Sequence, residues 1–297
     1  MLTRRSFLSA ALTTAAGGAA LAAGRLPLLG AEHLAWPGPI GLEIYTVRHM
    51  FAAAPEKTLR QVRAIGYSAV ELDLHALPGG VEGTRRDLQR AGLVTWSGTW
   101  TMPGTAAEWD ATISHAKALG MQYIVCMMPI IKPASFWREQ AKVLARAGDQ
   151  AARRNVQLCY HPHWPEFVRV GGGPSAMEVM LHATTPRQLK VEADIFWMTW
   201  AKQDPVAWFR RYPGRFPLLH IKDMKKQMPA GDHFDAWPKP GTIPFAYVGS
   251  GRIDWSRVFQ HVRLAGAKHI YVEQDECSLP VLTAIRRSYQ YLRHLNA

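Results

Sequence analysis

From residue 39 onward, short apolar runs alternate with longer amphipathic stretches along the chain. The runs fall at residues 40–45, 69–74, 93–97, 123–127, 156–161, 189–193, 217–222 and 269–273, and most are continuously apolar rather than alternating. That is the pattern of strands covered on both faces. Helix-sized segments lie between them, for example 55–65, 84–91, 106–119, 135–154, 255–265 and 279–294, several opened by Pro, Asp, Ser or Thr. Gly66, Gly92, Gly120 and Gly266 each follow a helical segment and precede a strand, where a residue without Cβ takes the left-handed closing turn. Eight strands separated by helices predict one α/β domain over 37–297, a closed (β/α)8 TIM barrel. A doubly wound open sheet would be favoured by a phosphate-cradling glycine loop after the first strand, and Ile44-Tyr45-Thr46-Val47-Arg48 supplies none.

The spacing breaks at 224–252, which carries Pro229, Pro238, Pro240 and Pro244 with Gly231, Gly241, Gly249 and Gly251. A connection of that length is usually functional. Because it leaves the C-terminal end of the seventh strand, it is expected to be an ordered lid-like insertion at the mouth of the barrel.

The first thirty residues are different in kind. Thr3-Arg4-Arg5-Ser6-Phe7-Leu8 precedes an Ala/Gly/Leu-rich stretch too short and too weakly apolar for a membrane span. The paired arginines look like a twin-arginine export signal, so residues 1–30 are expected to be a removable leader and the mature protein periplasmic or otherwise exported. No stable membrane insertion is expected after its removal. This segment holds three arginines and no acid, so losing it lowers the formal charge from +12 to about +9. The remaining basic residues are dispersed, with Lys222, Lys225 and Lys226 the densest group, and no basic arm or stripe points to nucleic acid. Cys126, Cys159 and Cys277 lack metal-type spacing and are expected to be free thiols.

In such a barrel the site is built from the residues that end the strands. Four consecutive runs end in groups that bind metals: one leads to His161, His163 and Glu166, the next to Asp194, then His220, then Glu273. Three carboxylates and an imidazole suit one divalent ion, Mn2+, Mg2+ or Co2+, with Zn2+ as the alternative. Lys222, at the end of the seventh run, can stabilise an oxyanion or simply pair with Asp223. Trp96, Trp100, Trp164 and Trp197 follow strand ends and can offer flat faces to a sugar ring.

The stretches Tyr160-His161-Pro162-His163-Trp164-Pro165-Glu166-Phe167, Asp194-Ile195-Phe196-Trp197, Leu219-His220-Ile221-Lys222-Asp223 and Val272-Glu273-Gln274-Asp275 resemble the sugar phosphate isomerase/epimerase family with the xylose isomerase-like barrel. Gly41-Leu42-Glu43-Ile44-Tyr45-Thr46-Val47-Arg48 resembles its first strand. Pro162 stands where the family commonly has Asn. The resemblance implies metal ligation by Glu166, Asp194, His220 and Glu273, with His161 or His163 able to replace Glu166. It implies proton transfer by Glu166 and Glu273, assisted by His161, His163 and Lys222. A substrate-binding surface of Tyr45, Glu71, Trp100 and Trp197 completes the expected site. The implied activity is isomerisation or epimerisation of a small unphosphorylated carbohydrate through an ene-diolate, with elimination of the aglycone from a 3-keto-glycoside as the alternative and a non-catalytic periplasmic sugar-binding protein as the second. A homodimer is compatible with the resemblance. Replacing Arg4 and Arg5 by Lys is expected to leave the full-length protein in the cytoplasm, which cell fractionation followed by immunoblotting checks.

Overall fold

The computed structural model describes residues 36–227, 239 and 241–295. The expected leader, residues 1–30, and part of the expected insertion, residues 228–238 and 240, lie outside them. Among the described residues no helix is long and apolar enough to cross a membrane.

Eight parallel strands close into the predicted barrel. They are β1 (Ile40–Glu43), β2 (Ala69–Asp73), β3 (Val94–Trp100), β4 (Tyr123–Cys126), β5 (Gln157–Tyr160), β6 (Lys190–Asp194), β7 (Leu218–Ile221) and, after a short antiparallel pair β8 (Asp223–Met224) and β9 (Phe245–Ala246), β10 (His269–Val272). The ring closes because β1 pairs with both β2 and β10. Eleven of the twelve residues in β4, β5 and β7 are buried, as strands covered by helices outside and by their own side chains inside must be. The helices at Pro55–Ile65, Ala106–Ala118 and Ala134–Arg153 begin or end within a residue of their predicted bounds. The segment predicted as one helix over 255–265 is two, Trp255–Phe259 and Val262–Ala265, separated at Gln260 and His261. The first strand stops at Glu43, two residues short of expectation, because the Glu43 carboxylate accepts the Tyr45 N–H at 3.3 Å and caps a 3-10 turn over Ile44–Val47.

Two layers fill the barrel. Tyr123, Val125, Cys159, Leu218 and Tyr271 form a small apolar cluster separate from the main core between strands and helices. Gly41 is required here, since a Cβ would lie 2.4 Å from the Tyr271 ring. Trp96 stacks on His269 with centroids 4.1 Å apart, which places it with this floor and not with a ligand. Stepping two residues along a strand turns the same face from apolar to polar: Cys159 to His161, Leu218 to His220, Tyr271 to Glu273.

The root of the 224–252 segment is tied to one side chain. Asp223 accepts the N–H of Met224 at 2.7 Å, of Gly249 at 2.9 Å, of Gly251 at 3.1 Å and of Ile253 at 3.2 Å, and the Trp255 Nε1–H at 3.0 Å. Asp223 therefore does not pair with Lys222. A Cβ on Gly251 would sit 2.1 Å from the Asp223 carboxylate, so glycine is what lets the chain approach. Asp223→Ala removes one buried acceptor from five donors and is expected to destabilise the fold by more than about 3 kcal/mol, measured by urea denaturation.

Candidate active site

The polar layer is built by strand ends. Asp194 ends β6 and caps the helix Ile195–Trp200: its Oδ1 accepts the Trp197 N–H at 2.8 Å, while buried Oδ2 faces the Lys222 ammonium at 3.1 Å. Glu192, two residues earlier on the same face, is wholly buried and lies 3.0 Å from His161 Nδ1. His161 Nε2 lies 3.8 Å from Asp194 Oδ2, too far for a hydrogen bond. On β7, His220 has Nε2 2.6 Å from Glu71 Oε2 and Nδ1 2.8 Å from Glu273 Oε2. Lys222, buried two residues on, pairs with Glu273 at 2.7 Å, Asp275 at 2.7 Å and Asp194 at 3.1 Å.

Packing so many charges in a closed space spreads their proton affinities. Burial lowers the proton affinity of His220, but Glu192 and Glu273 outweigh it and hold the imidazole well above its usual range. Burial raises Glu273, yet Lys222 and His220 prevail and keep it ionised. Burial and the Glu71 charge push Glu192 up to about 8. Burial also raises Asp194 against the pull of Lys222, and raises Asp275 to about 6. Burial, with the cationic His220 beside it, holds His161 well below the histidine range, and burial with Lys222 takes His163 down to about 3. Both are neutral rings at pH 7.

Above this layer opens a cavity of about 510 Å3. Tyr45, Trp100 and Trp197 line it, together with His161, His163, His220 and Glu273. His75 lies flat on Trp100, with centroids 3.6 Å apart and planes within 12°. Ile243 and Phe245 bring the described root of the long insertion to the same wall.

Two expected roles need correction. Glu166 does not join Asp194, His220 and Glu273: it is fully buried behind β5, where its Oε1 lies 2.8 Å from the Tyr160 hydroxyl and its Oε2 accepts the His163 N–H at 3.1 Å. The turn Pro165–Phe167 carries it there. The Tyr160 hydroxyl also lies 3.1 Å from the Met128 carbonyl and 3.0 Å from its N–H. With a single proton to give, it is satisfied at all three contacts when Glu166 is protonated, in accord with burial raising that carboxyl to about 8. Glu71 is the second correction: it is wholly buried beneath His220 and has no place on the cavity wall. Trp164 is likewise buried in the core.

Among the described residues, two ligand-competent groups share His220, each with donor atoms within 4.8 Å of one another: Glu43, Glu71 and His220, all buried, and His161, Asp194 and His220, with Glu273 against His220 on the cavity wall. Glu192, Glu43 and Asp275 were given no role by the sequence. Their signal is the two-residue step: Glu192 precedes Asp194 and Asp275 follows Glu273 on the same face.

A family model described as xylose isomerase-like TIM barrel matches residues 59–295. The chain belongs to that family. Among relatives, inosose dehydratase of Lacticaseibacillus casei is 27% identical over 135 residues, covering 44% of each protein, so the chain spans under half the length of that relative. A sugar phosphate isomerase/epimerase of Parabacteroides distasonis shares the fold with a TM-score of 0.73 at 21% identity, over 88% of this chain and all of the other. So does the IolI protein solved with a zinc atom, with a TM-score of 0.65 at 14% identity over 87% and 98%. Within this xylose isomerase-like barrel, Glu166 is a structural carboxyl with a testable pH signature. Its folded proton affinity lies above the unfolded value of 4.5, so its stabilising contribution is complete below pH 4.5 and is lost as pH rises through about 8. Glu166→Gln is expected to flatten the decline of the denaturation midpoint between pH 5 and 8.5 relative to wild type.

Proposed function

We propose that this chain is a divalent-metal-dependent enzyme that removes the proton beside the carbonyl of a small unphosphorylated carbohydrate. The observation that carries the reading is that His161, His220 and Glu273 line one cavity while Asp194, buried beside it, brings a carboxylate oxygen within 4.8 Å of both imidazoles. These residues fit a cation: buried Asp194 Oδ2 has no partner of hydrogen-bond geometry and lies 3.1 Å from the Lys222 ammonium, and two carboxylates with two imidazoles, His220 giving up a proton on binding, are a donor set for a borderline ion such as Mn2+, Co2+ or Zn2+. A zinc atom in the similarly folded IolI protein supports the same class of ion. His161 replaces Glu166 in the expected ligand set. Bound there, the cation would supply Lewis-acid polarisation of the substrate carbonyl.

The chain's own groups supply the rest. Ionised Glu273, held by Lys222 and His220, is the proton-transfer group that faces the cavity. Neutral His163, on the same wall, can pass protons to and from sugar oxygens. Lys222, buried behind the wall, keeps a fixed positive charge beside Glu273 and acts on the reaction through that carboxylate. Trp100 with His75, Tyr45, Trp197 and Phe245 give flat walls for a ring. Among the described residues the wall also carries Glu43, Asp73, Glu273, Asp275 and Glu276, an acidic lining that favours an uncharged sugar over a phosphorylated one. Returning the proton gives isomerisation or epimerisation. Losing a neighbouring group instead gives elimination, and that second reading is favoured by the relatives named inosose dehydratase. We further propose the twin-arginine leader and an exported, carbohydrate-handling setting.

Elemental analysis of the purified protein is expected to find about one divalent ion per chain. Deuterium from D2O should enter free sugars or 3-keto-glycosides only when the metal is present, and Glu273→Gln should lower that exchange by about 10²-fold or more. Aglycone release would select elimination, and sugar binding by a metal-free protein without exchange would overturn the enzyme reading.

A further inference from the structure

The two imidazoles at the base of the cavity come from different strands, β5 and β7, and a cation can use both only if each ring offers an unprotonated nitrogen toward it. Which nitrogen carries the proton is set by what its other nitrogen touches. Glu192 Oε2 lies 3.0 Å from His161 Nδ1 and 3.2 Å from His220 Nε2, so one carboxylate oxygen reaches both rings. The rings themselves are 4.7 Å apart and inclined at 61°. His220 Nε2 has a second acceptor in Glu71 at 2.6 Å. His161 Nδ1 has Glu192 as its hydrogen-bond partner.

We propose that Glu192 is a positioning residue that fixes the proton of His161 on Nδ1, turns His161 Nε2 toward Asp194 Oδ2, and ties the His161 ring to that of His220. It touches neither cavity nor substrate: it is wholly buried and absent from the cavity wall. Its placement follows from strand geometry. Glu192 and Asp194 share one face of β6 at successive inward positions, so the strand that supplies a ligand-competent carboxylate also supplies, one layer deeper, the acceptor that aims the neighbouring histidine. The asymmetry between the two rings is the testable part. Without the Glu192 carboxyl group His161 loses its Nδ1 partner, whereas His220 keeps Glu71.

The proposal rests on the cation reading given above, and the test separates the two. Full-length protein with 15N-labelled histidine is examined by long-range 1H–15N correlation, and its affinity for Co2+ is measured by competition with a chromophoric chelator. Wild type is expected to bind Co2+ and to show His161 protonated on Nδ1. Glu192→Leu, which removes the acceptor, is expected to weaken Co2+ binding about 10- to 100-fold and to shift the His161 nitrogen signals while those of His220 stay in place. Unchanged affinity and unchanged His161 signals overturn the proposal and leave the cation reading intact. Equal shifts at both histidines, or weaker binding with His161 unmoved, assign Glu192 to bulk charge and overturn it as well. Failure of the wild type to bind Co2+ overturns the cation reading and the proposal with it. Should Glu192→Leu not fold, Glu192→Asp keeps the carboxyl group but withdraws it by one methylene: the same loss is expected, and wild-type affinity overturns the proposal.

Discussion

The inside of the barrel holds more negative charge than its own cations balance. Glu43, Glu71, Glu192, Asp194, Glu273 and Asp275 converge on His220 and Lys222, all away from bulk water or nearly so. Burying a carboxylate is costly unless it is paired or protonated. The layer resolves the conflict by dividing the carboxylates into two groups. Glu71 and Glu273, against His220 and Lys222, bind protons less readily than a free carboxylate, whereas Glu43, Glu192, Asp194 and Asp275 bind them more readily. A divalent cation beside Asp194 would add to that balance, so the electrostatics supports the proposed metal site alongside the ligand geometry.

The apolar floor and the polar layer above it depend on each other. Gly41, Tyr271 and the Ser97 hydroxyl, which donates to the Tyr271 hydroxyl at 2.7 Å, seal the barrel beneath the carboxylates. That seal keeps water from reaching the lower charges and strengthens every interaction among them. Outside the strands, Trp109, Trp137 and Trp255 are buried, so most of the tryptophans serve packing while Trp100 and Trp197 face the cavity.

One carboxylate organises the long insertion from below. Asp223 gathers five donors from residues 224–255, and this fixes the path by which Ile243 and Phe245 reach the cavity wall. Glu276 adds a second tie at the mouth, accepting the Gly241 N–H through both oxygens at 3.0 and 3.1 Å. Lys222 and Asp223 are neighbours in sequence but belong to different devices, because adjacent residues of an extended chain point to opposite sides.

The sequence by itself determined the barrel, since eight buried-strand patterns spaced by helices admit few other closed arrangements, and it placed Asp194, His220 and Glu273 together through the rule that strand ends meet at one mouth. It could not place Glu166, which lies five residues past β5, because beyond a strand end the turn decides direction: Pro165–Phe167 carries the side chain behind the strand to Tyr160. Glu71 and Glu192 were equally ambiguous, since a buried polar residue inside a strand is read as inward-facing only once the register Asp194↔His220 and Glu43↔Glu71 is known. Tertiary structure decided that His161, and not Glu166, lies beside Asp194 and His220, and that Glu192 lies 3.0 Å from the His161 Nδ1. Those choices depend on distances between strands far apart in the chain, and spacing along the chain does not encode them.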